Sequence, residues 1–403
     1  MSSTDSTYVR TRRVFYIPGY DPIHPRRYRE LYRKESAAQA EISGYEIGLK
    51  AKTTKGPYGW HVNALIEEQS VTADVEVLYW ADLVRDSMDQ GIVSTYVQLA
   101  RTAWTYIGSG ALWRLMKLRK GPVIAALYPV VFLLVQLAVA LALAWGAARL
   151  LGLLHPWASL LGLGVIPLVL TWFRKQDGKF FAYYLMHDYA YSARTKGSNP
   201  PELEARIAEF KDLITAALQT DVDEVLVVGH SSGAHLAVSI LSDLIREGGA
   251  PSEGPRLSFL SLGQVVPMVS FLPKADRLRR DLRYLSARSE VYWLDVTAPG
   301  DGCAFALCDP VAVSGVAGPD KAWPLVLSAA FTQTLSPERW KELRWRFFRL
   351  HFQYLCAFDV PGDYDYFRIT AGPQTLGARF AHRQPSGSRK EEAVSKYTSC
   401  ADE

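Results

Sequence analysis

Five consecutive residues, Gly229-His230-Ser231-Ser232-Gly233, hold the side chains best suited to chemistry in this chain. A glycine on each side of the serine lets the backbone reverse in one tight turn, where any side chain would strike the flanking segments. The apolar run Glu224-Val225-Leu226-Val227-Val228 leads into the turn as a strand, and the amphipathic stretch 234–245 leaves it as a helix. A serine between a strand and a helix in this pattern is a nucleophile elbow, with its hydroxyl pushed out of a strained turn. The N–H of Ser232, near the positive end of the new helix, is the first donor for an oxyanion. A serine hydroxyl attacks poorly until an imidazole takes its proton, and that imidazole needs a carboxylate to orient it. The chemistry expected is acyl transfer through Ser231.

The elements that must position these residues are read from the rest of the chain. Residues 13–17 form a short strand closed by Pro18-Gly19, and a mixed, mostly helical stretch runs on to about Lys52. Residues 74–80 alternate as a second strand, and 93–117 form one aromatic, amphipathic helix. Residues 179–195 are helical, and Pro200-Pro201 open a charged helix reaching about Gln219. Past the elbow come strands at 257–262 and 290–297, separated by a basic helix at 274–288. Strands alternating with helices predict an α/β fold with a mostly parallel sheet and helices on both faces. Residues 1–120 and 175–382 are the two parts of that domain, and the polar segment 383–403 is expected to be disordered.

Bulk properties exclude some functions. Among 403 residues the net charge is only +4, with the basic residues dispersed, so no nucleic-acid partner is expected. The four cysteines, Cys303, Cys308, Cys356 and Cys400, form no C-x-x-C pair. A disulfide framework or zinc site is therefore not expected, and a reducing compartment is. Residues 1–13 are polar and charged, unlike a secretory signal peptide.

The strongest compositional feature lies at 121–174. Segments 122–145 and 150–173 carry no charge with His155 neutral, and about 20 apolar residues suffice for a helix to cross a bilayer. Residues 146–149 leave a short connection, predicting a transmembrane hairpin in which Pro156 and Pro167 are tolerable. Trp145, Trp157 and Trp172 fall near the expected interfaces. Arg114, Lys117, Arg119 and Lys120 precede the first span, Arg174, Lys175 and Lys179 follow the second, and the connection holds only Arg149. That asymmetry puts the catalytic domain and both termini in the cytoplasm.

Together these features resemble the α/β-hydrolase superfamily, and within it serine esterases and lipases, over about residues 13–20, 73–82 and 200–351. The elbow is the specific part of the likeness. The resemblance implies an α/β-hydrolase-like sheet, here interrupted by the hairpin, no cofactor or metal, and a triad in the chain order serine, acid, histidine. Two departures stand out. The chain opens at what looks like the family's third strand, so the usual initial antiparallel hairpin is missing or replaced, and the insertion precedes the elbow instead of following a later strand.

For the acid, the strand at 290–297 offers Asp295 within it and Asp301 in the turn beyond. Asp301 is favoured, because a charge inside a buried parallel strand is costly; Asp295 is the alternative. Downstream histidines are His351, in an aromatic stretch, and His382, at the edge of the polar tail; His351 is chosen. The stretch 337–356 also reads as one unbroken helix, an unusual place for such a histidine. His230 and His235 read as structural or cavity-lining groups. The second oxyanion donor is expected in Pro18-Gly19-Tyr20-Asp21-Pro22, at the N–H of Tyr20. The expected function is hydrolysis of a lipid or other apolar acyl ester at the membrane. Its rivals are an acyltransferase using the same serine and a non-catalytic membrane scaffold. In the segment after residue 337, Trp340, Leu343, Phe347 and Leu350 recur at helical spacing among Arg339, Arg344 and Arg346, a stripe that suits core packing better than lipid headgroups.

Overall fold

A strand rich in Val and Leu with no exposed residue has to lie inside a sheet covered on both faces, and Glu224–His230 does. A computed structural model describes residues 8–20, 24–80, 82–83, 91–180, 182–251 and 253–401. The strands are β1 (Thr11–Ile17), β2 (Glu46–Ala51), β3 (Gly59–Ile66), β4 (Gln69–Val77), β5 (Glu224–His230), β6 (Arg256–Leu262), β7 (Val291–Thr297) and β8 (Leu325–Ser328). They form one eight-stranded sheet in the order β2-β3-β4-β1-β5-β6-β7-β8. β3 is antiparallel to both neighbours, and every other pairing is parallel. The protein is therefore a mixed α/β fold with a mostly parallel sheet.

Alternate residues of the central strands feed two cores. Val14, Tyr16, Val228, Leu260 and Leu294 face one way, against helix Arg26–Ser43 and the segments after β8. Phe15, Ile17, Val227, Phe259 and Trp293 face the other, under helices Pro201–Leu218, Gly233–Arg246 and Asp276–Ser286. In the register, Ile17 pairs with Gly229 and His230 with Leu262. The carboxyl ends of β1, β5, β6 and β7 thus emerge together, the edge at which open parallel sheets gather their ligand-binding loops. Helices Ile92–Gly108, Ala111–Leu118 and Ala182–Arg194 lie over that edge, joined through Tyr106, Leu115, Val123, Met268 and Phe305.

Several sequence expectations change. The antiparallel pair β2–β3 is present, but it follows β1 and helix Arg26–Ser43 in the chain; the stretch read as helical to Lys52 gives up its end to β2. The single helix expected at 93–117 is two, turned at Ser109-Gly110. Helix Lys120–Gly152 runs straight through the connection expected at 146–149, because Ala147, Ala148 and Arg149 are all good helix formers. The break falls at residues 153–155, just before Pro156. Residues 383–401, expected to be disordered, lie along the body, held largely by hydrogen bonds, with only Val394 and Cys400, among the described residues, packed against apolar clusters. Ser386 N–H donates to Val326 O at 2.9 Å, Lys390 N–H to Leu307 O at 2.7 Å, and Val394 N–H to Val313 O at 3.2 Å. Residues 402–403 of the tail, 1–7 of the amino terminus, and Asp21 and Pro22 of the turn after β1 lie outside the described residues.

Two helices, Lys120–Gly152 and Pro156–Lys175, are long and apolar enough to cross a membrane. At about 1.5 Å per residue the first spans roughly 50 Å, more than the ~30 Å hydrocarbon thickness, so one end can pack on the domain while the rest projects. Pro122 and Val123 are buried, whereas Ile124, Val131, Trp145, Leu153 and Trp157 are exposed. A core helix would hide such side chains. The pair closes at Gly162, where an added Cβ would come within 2.8 Å of Ala144 O, the small-residue contact through which membrane helices approach.

Candidate active site

Ser231 sits at φ +55°, between β5 and helix Gly233–Arg246. A non-glycine residue in that region costs about 1–2 kcal/mol, so surrounding structure must hold it there. A Cβ on Gly229 would come within 2.7 Å of Ala234 Cα, and one on Gly233 within 2.1 Å of Ile17 O. Both glycines of the elbow are thus required by close approach of backbone. The loop after β1 crosses the serine directly, since a Cβ on Gly19 would lie 2.9 Å from Ser231 Cβ. That crossing brings Tyr20 beside the elbow, where Tyr20 and Ser232 line the same cavity as Ser231.

Asp301 and His351 come together from 50 residues apart. His351 Nδ1 lies 2.7 Å from Asp301 Oδ2, and both side chains are buried. The carboxylate also accepts the N–H of Cys303 on Oδ1 at 2.8 Å and the hydroxyl of Tyr354 on Oδ2 at 3.0 Å. Tyr354 in turn accepts the N–H of Ala298 at 2.9 Å, which ties the acid to the end of β7. Three donors converge on one buried carboxylate, so both of its oxygens act as acceptors. The imidazole must then carry its proton on Nδ1, leaving Nε2 as the basic nitrogen. Ser231 and His351 face the same cavity, and among the described contacts no hydrogen bond joins them. Catalytic bonds of this kind are often long until substrate is bound.

His351 ends the short helix Phe347–His351. The unbroken helix expected at 337–356 is instead three pieces, Pro337–Leu343, Phe347–His351 and Gln353–Leu355, following β8. Asp295, the alternative acid, does not approach the imidazole. It is fully buried inside β7, bonded to Ser261 Oγ at 2.6 Å, and burial pushes its carboxyl up to about 8. A protonated acid there cannot serve as an anionic orienter. His382, set aside above, is exposed.

His230 has a defined task. Its Nε2 bonds the carbonyl of His351 at 3.1 Å, which fixes the proton on Nε2 and leaves Nδ1 to accept from Tyr16 Oη at 3.3 Å. Its ring lies 4.8 Å from that of His351. Burial and then the neighbouring imidazole push His230 down to about 3, so it is a neutral brace for His351. His235 lines the cavity too, pushed down to about 4 by burial. Sequence reading missed Tyr354 and Tyr16 as supports; the only signal was Tyr354 lying one helical turn after His351.

A pH test follows for His230. Its folded value lies below the ordinary 6.5, so below pH 6.5 the unfolded chain binds a proton that the folded chain refuses until near pH 3, and stability is lost as pH falls through that window. At pH 5 the loss is about 2 kcal/mol. Asp295, raised to about 8, has the opposite slope, so the comparison must be between variants. The stability deficit of His230→Gln relative to the parent is expected to shrink by about 2 kcal/mol from pH 7 to pH 5, read by urea unfolding in detergent. A deficit unchanged with pH would remove the neutral-brace assignment.

The cavity in front of these residues measures about 260 Å³ and is mainly apolar, with Trp80, Leu185, Leu203, Met268, Val269 and Phe352 in its wall. Asp301, Cys303 and His351 also place three possible metal ligands within 4.8 Å of one another. The donor set does not suit a cation: burial raises the Cys303 thiol well above its ordinary range, and both carboxylate oxygens already hold internal donors. A scan against protein-family models and searches of curated proteins and of solved structures find no match for this chain.

Proposed function

We propose that this chain is a membrane-anchored serine hydrolase, resembling the α/β-hydrolases, that cleaves acyl esters. The observation that carries the reading is the 2.7 Å bond between buried Asp301 and His351 Nδ1, made beside a serine held at φ +55° on a strand-to-helix turn. His351 Nε2 takes the Ser231 proton as the hydroxyl attacks the ester carbonyl. The N–H groups of Ser232 and Tyr20 receive the oxyanion. The imidazolium, stabilised by Asp301, then protonates the leaving alcohol, and water repeats the sequence to free the acid. An apolar cavity suits an acyl chain. The edge pair β2–β3 supports the likeness to the family, in which antiparallel strands flank a parallel sheet, although here the pair comes after β1. The hairpin is the anchor, and the basic residues flanking it set the domain on the cytoplasmic side.

A biotinylated fluorophosphonate, which phosphonylates only activated serines, tests this. One adduct is expected, on the peptide containing Ser231, and His351→Ala is expected to slow its formation at least a hundredfold. Absence of any adduct on Ser231 in the folded, detergent-solubilised protein would refute the hydrolase reading.

A further inference from the structure

Leu343 and Leu350 are buried, but between them Arg344, Trp345, Arg346, Phe347, Phe348 and Arg349 are all exposed. The stripe read from the sequence therefore divides. Its leucines pack inward, and three aromatic rings and three guanidinium groups face outward, with Arg346 and Arg349 both paired to the exposed Glu342. Trp345 is 71% exposed, with Arg344 stacked on its ring at 5.6 Å. Rings and arginines mixed on one short surface are the composition of a bilayer interface, where amphipathic rings sit at headgroup level and arginines meet anionic phosphates.

Position agrees with composition. A Cβ on Gly121, at the start of helix Lys120–Gly152, would come within 3.1 Å of Gly302 O, and a Cβ on Gly302 within 3.0 Å of Phe347 Cδ1. The aromatic segment therefore sits beside the end of the first membrane helix at which the basic residues Lys117 and Lys120 are exposed. Residues 344–349 therefore lie at the base of that helix, on the side of the domain from which it projects. One residue of the segment also belongs to the site: Phe348 lines the cavity with Pro122, Phe352 and His351, whereas Trp345 and Arg346 do not. Of the lining residues only Phe348 and Arg27 are exposed, so the cavity wall reaches the surface at this patch.

We infer that residues 344–349 rest in the headgroup layer of an anionic bilayer and open the cavity onto it, so that the substrate is a lipid ester entering from the membrane. The docking rests on the membrane-crossing reading of the hairpin, and the substrate class rests on the hydrolase reading.

Two measurements on the full chain, reconstituted into phosphatidylcholine vesicles with or without phosphatidylglycerol, separate these. The first needs no catalysis: the fluorescence difference between the parent and Trp345→Phe reports Trp345 alone. It is expected to be quenched by acyl-brominated phosphatidylcholine and shielded from iodide. Quenching by iodide without quenching by brominated lipid would overturn the docking. The second compares a long-chain ester dissolved in the vesicle with a short-chain ester in water. Trp345→Ser with Arg346→Ser is expected to lower the rate on the vesicle ester about tenfold, most with phosphatidylglycerol present, and to leave the soluble ester within about twofold. Equal rates on both esters would overturn membrane entry while leaving the hydrolase intact. A parent inactive on both and unlabelled by fluorophosphonate would remove the hydrolase reading and the substrate class with it, and the quenching result would still decide the docking.

Discussion

Ser231→Ala is expected to lower kcat for ester hydrolysis about a million-fold while leaving the protein folded. The reasoning begins with what the substitution spares. Alanine keeps the Cβ, which packs against Gly19, and is as strained as serine at φ +55°. Only the hydroxyl is lost, and with it the covalent acyl-enzyme. What remains is the cavity and the oxyanion donors, about 10³–10⁴ over water. Because serine and imidazole act as one unit, adding His351→Ala should cost almost nothing more. Ser231→Gly separates strain from chemistry. Glycine adopts this φ freely, so that variant should be just as inactive yet more stable by about 1 kcal/mol, read by thermal unfolding in detergent. A Ser231→Ala protein within tenfold of the parent would show that the reaction does not pass through this hydroxyl.

Much of this site was legible because its parts lie at the ends of strongly patterned elements. The valines of β5, the glycines flanking Ser231 and the turn carrying Asp301 each say where a strand stops. The fold was legible for the same reason wherever burial is two-sided: β1, β5, β6 and β7 read as apolar runs, and the sheet places them side by side. The edges were not. β2, with four of its six residues exposed, alternates too weakly in Glu46–Ala51 to stand out from the helix before it, and β8 has four residues. The hairpin turn was misplaced because Arg149 marks polarity and not a helix end; Pro156, which cannot donate to a helix, lies closer to the true break. The order of 383–401 escapes composition, since it is held by main-chain bonds and by polar contacts to residues far away in the chain, such as Arg114 and Arg279, that no local pattern announces. Likewise Tyr354 and Tyr16 support the site through contacts more than 50 and 200 residues away in the chain. No local pattern encodes such a distance.

Asp301→Asn should reduce kcat about 10⁴-fold with little change in KM. The amide is isosteric, and its oxygen can still accept the N–H of Cys303. Its NH2, however, donates toward Nδ1 of His351, where the carboxylate accepts. The imidazole must then carry its proton on Nε2, so the nitrogen that faces the cavity becomes a donor and can no longer receive the Ser231 proton. Binding is untouched, because Asp301 is buried behind the imidazole and is not part of the cavity wall. Tyr354→Phe is the graded companion. It removes one donor to Oδ2 and leaves the N–H of Ala298 unpaired, a loss of about 1–3 kcal/mol in stability. The carboxylate and the tautomer survive, so kcat should fall only about tenfold. Asp295→Asn completes the set: its acid is already protonated, so the amide should leave kcat within about twofold. If Asp301→Asn matched Tyr354→Phe in kcat, the tautomer argument would fail, and Asp301 would be an anchor for the turn after β7 that does not orient the base.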